Sequence, residues 1–329
     1  MTGLHQQVRR TIRKHGLCPP GARVLVGLSG GSDSVALTLL LLDLAEYGEF
    51  SVISVAHLNH RLRESAGRDE DFCHDFARRH RLRIAVESFD VQTHASTEKL
   101  SLEDAARRVR YAFLERTAAE LDANRIAVGH TEDDQAETFL LKLMRGAGLT
   151  GLAGIYPQRG MVIRPVLETT HRELREYLRS RGETWVEDET NGHLGNPRNR
   201  VRHKVLPELD RAAGAATRPA IARAAGLIRE DGQWLDEVAA GRFEALGVTN
   251  ADGMELDAAA LAAEPPAIVR RVLHRAMRQV AGSREVGLDH VEAAMALLGS
   301  GAGGVDVPGT RMELRRGKLV LVQQKVSTK

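Results

Sequence analysis

The sequence predicts a doubly wound α/β domain with a parallel sheet, followed by a second, smaller and mainly helical domain. Three observations carry this. Buried apolar runs of strand length alternate with helical runs over the first half of the chain, a glycine-rich turn joins the first strand to the first helix, and beyond Pro207 the strand pattern gives way to Ala- and Arg-rich helical sequence.

Val24-Leu25-Val26-Gly27-Leu28 forms the first strand, and the apolar run from Val35 to Leu42 forms the helix after it. Val52 to Leu58 is a second strand, the charged amphipathic stretch around Asp71 to His80 a helix, and Arg83 to Val86 a third strand. Ser101-Leu102-Glu103-Asp104 has the form of a helix cap, and Val109, Ala112 and Phe113 continue it with helical spacing. Ile126-Ala127-Val128 is the fourth strand. Another helix starts near Thr131 and stops at Arg145-Gly146-Ala147-Gly148. Repeated strand-to-helix crossovers place ligands at the carboxyl ends of the strands. The compositional break gives domains of 1–211 and 212–329, and turn signals at Pro308-Gly309 and Arg316-Gly317 add a small terminal hairpin.

A chain of 329 residues that is 43% hydrophobic can build two cores. Its 46 basic and 44 acidic residues nearly cancel, so attraction to nucleic acid must come from local clusters. Aromatic residues are only 4%, which argues against a broad base-stacking platform. Cys18 and Cys73 form no C-x-x-C pair, which argues against a disulfide scaffold, a zinc site or an iron–sulfur centre. No run approaches a membrane span, and residues 1–16 lack an apolar secretory core, so a soluble cytoplasmic protein is expected.

The loop Ser29-Gly30-Gly31-Ser32-Asp33-Ser34 lies between a buried strand and a helix, where backbone N–H groups and the helix N-terminus make an anion site. It lacks the lysine of a Walker loop, and Asp33 beside a bound phosphate suggests Mg²⁺ between them. Asp134 and Glu137, three apart at a helix start, share one face and are suited to an ammonium group. Arg110 and, one turn earlier, Arg107 occupy one face of the preceding helix. His57 and His60 have no third ligand spaced for zinc and are expected to line the nucleotide pocket. Arg198, Arg200, Arg202, His203 and Lys204 form a basic cluster after the Gly- and Asn-rich loop 191–197. Arg270, Arg271, Arg275 and Arg278, with Arg315, Arg316 and Lys318, are weaker candidates for nucleic-acid contact.

The loop Ser29 to Ser34 resembles the S-G-G-x-D-S loop of the N-type ATP pyrophosphatases. These PP-loop, adenine nucleotide alpha hydrolase-like enzymes cleave ATP to AMP and pyrophosphate while adenylating an oxygen. The runs His57 to Arg63, Ala106 to Tyr111 and Gly129 to Thr138 resemble those of the tRNA(Ile)-lysidine synthetase family. So do Arg164-Pro165-Val166-Leu167, Trp185 and Asn199-Arg200-Val201-Arg202, and the likeness returns more weakly at Asp306 to Gly309. The resemblance implies a ligase that adenylates the wobble cytidine of a tRNA(Ile) with a CAU anticodon and replaces its 2-oxo group with L-lysine. It implies ATP bound by Ser29, Gly30, Gly31, Ser32, Asp33, Ser34, His57 and Arg110. Mg²⁺ would sit on Asp33, lysine on Asp134 and Glu137, with Asp133 in support or binding metal, and phosphate or tRNA on Arg200 and Arg202. Asp33, Arg110, Asp134 and Glu137 become the expected catalytic set. Longer members carry an additional C-terminal module, and this chain is expected to be a short form with a single C-terminal module. A homodimer is compatible with the sequence. The competing readings are another PP-loop adenylating enzyme, such as a tRNA thiolase or an amide-forming synthetase, and a non-catalytic nucleotide-regulated RNA-binding module. The two lone cysteines count against thiolation, and the complete set of polar residues against a mere sensor.

Overall fold

The computed structural model describes residues 2–61, 66–187, 195–214, 216–250, 253–282 and 284–323. The chain divides into two compact units, Met1–Gly226 and Leu227–Lys329.

The first unit is organised by β1 (Ala22–Gly27), whose alternating side chains feed two cores. Val24, Val26 and Leu28 join one, packed under α1 (Gly3–Lys14) and the almost wholly apolar α2 (Ser32–Ala45). Leu25 points to the other face. β2 (Phe50–Asn59) pairs parallel to β1, with an irregularity at Val24/Leu25. It is followed by α3 (Ala66–Arg79), β3 (Ile84–Ser88), α4 (Val91–Thr97) and α5 (Leu102–Glu120). α5 brings Val109, Phe113 and Leu114 onto the second face with Leu25. Ser101 caps it by accepting from Asp104 N.

β4 (Arg125–Ala127) pairs with the other edge of β1, also parallel. Then come α6 (Glu132–Met144), α7 (Leu149–Leu152), the short strands β5 (Gln158–Arg159) and β6 (Val162–Ile163), and α8 (His171–Ser180). The sheet order is β3-β2-β1-β4-β6-β5, with only β5 antiparallel. The order turns back between β1 and β4, so a crevice opens there at the strands' carboxyl ends. The four expected strands and the helices between them are present; α1, β5, β6 and α8 lie outside the expected elements. Asp43 on α2 ties α1 and α8 together through His5, Tyr177 and Arg181. Burial works against its charge, and those partners outweigh burial, holding its carboxyl below the usual range.

α9 (Pro197–Arg200) runs through a π-helical turn at Val201–Val205 into α10 (Leu206–Ala213). The next helix, α11 (Thr217–Leu246), begins near the compositional break but crosses the division of the units. Its first turns belong to the first unit. Ile221 packs with Ala136, Val201 and Leu206, and Arg218 pairs with Asp133 and Asp210. The boundary expected at 211/212 thus marks where helical composition starts, while the packing divides at Gly226/Leu227.

In the second unit, β7 (Gly247–Asn250), β8 (Gly253–Asp257), α12 (Ala258–Ala262), α13 (Pro266–Val280) and α14 (Leu288–Ser300) precede β9 (Gly303–Val307), β10 (Thr310–Arg315) and β11 (Lys318–Gln323). The expected hairpin is larger than read. It is part of an antiparallel five-stranded sheet, β7-β8-β11-β10-β9. β8 recruits β11 across about sixty residues of chain, a pairing that no local pattern announces. Leu256, Met312, Leu319 and Leu321 from this sheet close a core with Val272, Leu273 and Met277 of α13. Of the weaker basic candidates, Arg270, Arg271, Arg315 and Lys318 each pair with an acidic neighbour, and Arg275 lies over Phe243.

Candidate active site

The crevice between β1 and β4 holds a cavity of about 570 Å³. Its floor is the loop after β1, closed on itself by its serines. Ser29 N donates to Ser34 Oγ at 3.1 Å, Ser34 Oγ donates to Gly31 O at 3.0 Å, and Gly31 N reaches Ser29 Oγ at 3.4 Å. Gly30 sits at φ +86°, where a side chain would be strained and would crowd Phe72 and Val186. Gly31 caps α2 in an extended conformation, so the first-turn N–H groups of that helix have no intrahelical acceptor. These donors and the helix dipole make an anion cradle. The end of β4 is held against it: a Cβ on Gly129 would lie 3.1 Å from Asp33 C and O. Only glycine allows the two halves of the crevice to meet at backbone distance.

On the β4 side, Thr131 caps α6, and Asp134 Oδ2 accepts from Thr131 N (2.9 Å) and Oγ1 (3.0 Å). That capping box aims Asp134 Oδ1 and, one turn on, Glu137 into the same space. Both are buried, at 8% and 0% exposure. Arg198 donates to Asp134 Oδ1 (2.9 Å) and Glu137 Oε2 (2.8 Å). Arg202 donates to Glu137 Oε1 (2.5 Å) and Oε2 (3.0 Å) and to Asp134 Oδ1 (3.3 Å). Two carboxylates and two guanidinia form a neutral cage. Burial alone would raise the Asp134 carboxyl, but the charges of Arg198 and His171 and the hydrogen bond from Thr131 N overcome it and hold it well below the usual range.

His171, first residue of α8, bridges the halves. Its Nδ1 lies 2.9 Å from Asp33 Oδ2, its Nε2 lies 3.4 Å from Thr131 Oγ1, and its backbone N donates to Asp133 Oδ2 at 2.8 Å. Burial pulls the imidazole down. The hydrogen bond to Asp33 and the charges of Asp33, Asp134 and Asp133 more than reverse this, pushing it up to about 9. At neutral pH it is therefore a cation that donates from both nitrogens. His130 behaves oppositely: burial and the neighbouring arginines push it down to about 3, against the pull of Asp134. Arg164, 4% exposed, donates to His130 Nδ1 at 3.0 Å and to Tyr156 O at 2.7 Å. Accepting at Nδ1 leaves the His130 proton on Nε2. Asp134, Glu137 and His171 offer ligand atoms within 4.8 Å of one another, but two arginines already satisfy both acids, so the group reads as an ion-pair cage.

Of the residues singled out from sequence, Ser29, Gly31, Asp33, Ser34, His57, His60, Arg107, Arg110, Asp134 and Arg202 line the cavity; Gly30 and Ser32 support its floor, and Glu137 lies behind Asp134. Of the His57 to Arg63 run, residues 57–61 line it, and Leu62 and Arg63 fall outside the described residues. Asn191 to Leu194 do so as well. His57 Nδ1 donates to Leu28 O at 2.9 Å, which fixes its ring to the end of β1. Arg200 does not join Arg202 in the cavity. Its guanidinium donates to Gly195 O at 2.9 Å on the exposed side, and Arg198 takes the inward place. The reason is helical periodicity: residues four apart share a face and residues two apart do not. Asp133 is engaged by Arg218 at 2.7 Å and by His171 N. His171, His130 and Arg164 were missed as site residues, and Arg198 was read only as part of the basic cluster. The T-x-x-E cap at Thr170 to Glu173 announces a helix there, and its first residue at the ligand edge was the available signal for His171.

A PP-loop domain model matches residues 3–209, and a TilS substrate binding domain model matches residues 256–320. A tRNA(Ile)-lysidine synthase of Symbiobacterium thermophilum is 39% identical over 96% of this chain and 68% of its own length. One of Geobacter sulfurreducens is 39% identical over 88% of this chain and 62% of its own length. Among solved structures, the U34-tRNA thiolase NcsA from Methanococcus maripaludis with its [4Fe-4S] cluster matches with a TM-score of 0.58 at 16% identity, over 69% of this chain and 78% of that one. At that identity the likeness is one of fold.

Proposed function

Because the chain belongs to the PP-loop tRNA(Ile)-lysidine synthase family, we propose that it adenylates the wobble cytidine of a CAU-anticodon tRNA(Ile) with ATP and exchanges the 2-oxo group for L-lysine. The carrying observation is that an anion cradle and the buried Asp134, with Glu137 directly behind it, border one cavity at the β1/β4 switch point. Cytosine O2 attacks the α-phosphorus and pyrophosphate leaves; the lysine ε-amine then attacks C2, the C2–O bond breaks, and AMP departs with the oxygen. Both nucleophiles belong to substrates. Cys73, the cysteine nearest the cavity, is buried with its thiol pushed up to about 12, which suits neither attack nor sulfur transfer.

The residues divide the work. The loop Ser29 to Ser34 and the start of α2 receive the pyrophosphate portion. Arg110, half-buried on the cavity wall with its Nε lacking a hydrogen-bond partner among the described residues, is placed for the charge that develops on the α-phosphate. Asp33, whose Oδ2 faces His171, offers a hard carboxylate oxygen at the cavity floor that would hold Mg²⁺, and such an ion would neutralise charge on the leaving group. Asp134 and Glu137 hold the lysine ammonium. The exposed ion pairs of Arg270, Arg315 and Lys318 leave their cations exchangeable for tRNA phosphates.

Incubation with ATP, labelled lysine and tRNA(Ile) tests this, with a wobble C-to-U transcript as control. Label is expected in the wild-type tRNA alone; no label, or equal label in both, would sink the assignment.

A further inference from the structure

The carboxylates assigned to the ammonium already hold cations. Every inward oxygen of Asp134 and Glu137 that the capping box leaves over accepts from Arg198 or Arg202. With two negative and two positive groups the cage is neutral, and an alkylammonium entering it would bring an unbalanced buried charge. Arg198 and Arg202 also line the nucleotide cavity, alongside Ser29, Gly31, Asp33 and Ser34. A polyphosphate bound there presents several negative charges to the same two guanidinia, in the fork geometry that arginine prefers.

Resting on the reading that Asp134 and Glu137 receive the lysine ammonium, we infer that Arg198, with Arg202, makes amine binding conditional on nucleotide. The guanidinia leave the carboxylates for the polyphosphate, and the vacated carboxylates then accept the ammonium. Arg198 is thereby a positioning residue that couples the two half-sites. Free lysine meets a closed cage, whereas the nucleotide-bound enzyme presents an open, negative one. The coupling is reciprocal, because each ligand favours the same arrangement of the arginines.

The test is calorimetric titration of L-lysine into the full chain, with and without an ATP analogue carrying a methylene between the α- and β-phosphorus atoms. The analogue should raise lysine affinity at least ~10-fold, about 1.4 kcal/mol, and lysine should raise analogue affinity by the same factor. Arg198→Met should bind lysine without nucleotide and lose most of the coupling, and Arg198→Lys, which keeps the charge, should retain it. A purely structural role for Arg198 would weaken both ligands without changing the coupling factor. Equal lysine affinity with and without the analogue in the wild-type protein would overturn the inference while leaving the ammonium site standing. Lysine binding in neither state would overturn the ammonium reading, and the inference with it. Should Arg198→Met fail to fold, the reciprocal wild-type titrations decide alone.

Discussion

Replacing Glu137 by glutamine removes one charge from a cage that is neutral as it stands. Glu137 is 0% exposed and accepts from Arg198 Nε at 2.8 Å and from Arg202 Nε and Nη2 at 2.5 and 3.0 Å. Glutamine keeps one acceptor but turns an amide N–H₂ toward guanidinium donors, and the cage is left with a net positive charge. Uncompensating a buried pair in this way costs about 3–5 kcal/mol. At about 2–4 °C per kcal/mol for a unit of this size, the unfolding midpoint of the first unit should fall by roughly 6–20 °C. Scanning calorimetry or urea unfolding reads this directly. The double variant Glu137→Gln/Arg198→Met restores neutrality, so the cycle should show a coupling of at least ~1 kcal/mol in its favour. A shift below about 2 °C for Glu137→Gln, or strict additivity in the double variant, would show that water screens the cage and that charge balance does not govern it.

Glu132, half-buried at the start of α6, is pushed up to about 7 by burial and by Asp133 and Glu173, and its Oε1 has no hydrogen-bond partner among the described residues. The folded state therefore binds more protons than the unfolded chain between about pH 4.5 and 7, and this residue's contribution to stability falls as pH rises through that window. Glu132→Gln should be more stable than wild type at pH 8, by about 1–3 kcal/mol, with the gain vanishing near pH 4; an equal gain at both pH values would refute the linkage. Gly129→Ala drives a methyl into the Asp33 backbone at 3.1 Å and should weaken ATP binding at least ~10-fold in a fluorescence titration; unchanged affinity would mean the loop gives way without cost. Cys18 and Cys73, both buried with thiols pushed up to about 12, should resist a thiol reagent at pH 8 until the protein is unfolded, and rapid labelling of the native protein would contradict their packing.

Sequence reasoning reached the parts of the site that are encoded locally. A buried strand, a glycine turn and a helix start are contiguous, so the phosphate loop could be read as a unit. That Asp134 and Glu137 share one face followed from helical spacing, and their role from the family resemblance. Arg198 was obscured because the helix that orients it begins at Pro197, within the stretch 191–197 whose composition suggests a loop, so Arg202 was grouped with Arg200 when its true face-mate lies four residues back. His171 escaped because its role depends on α8 meeting the loop after β1, more than 130 residues away in sequence. β5, β6, β7 and β8 are too short or too dependent on distant partners to leave a periodic trace.

The π-helical turn at Val201–Val205 has a genetic corollary. Val201 and Leu206 are both packed on Ala136, although five residues of regular α-helix would turn them about 140° apart. The wide turn, closed by Leu206 N–H on Val201 O, takes up the surplus residue. Spelling here is thus constrained in length as well as in letters. A one-codon deletion would rotate every downstream side chain by a fixed angle relative to Arg198, whereas most single substitutions in the turn would leave the reading frame of the helix face intact.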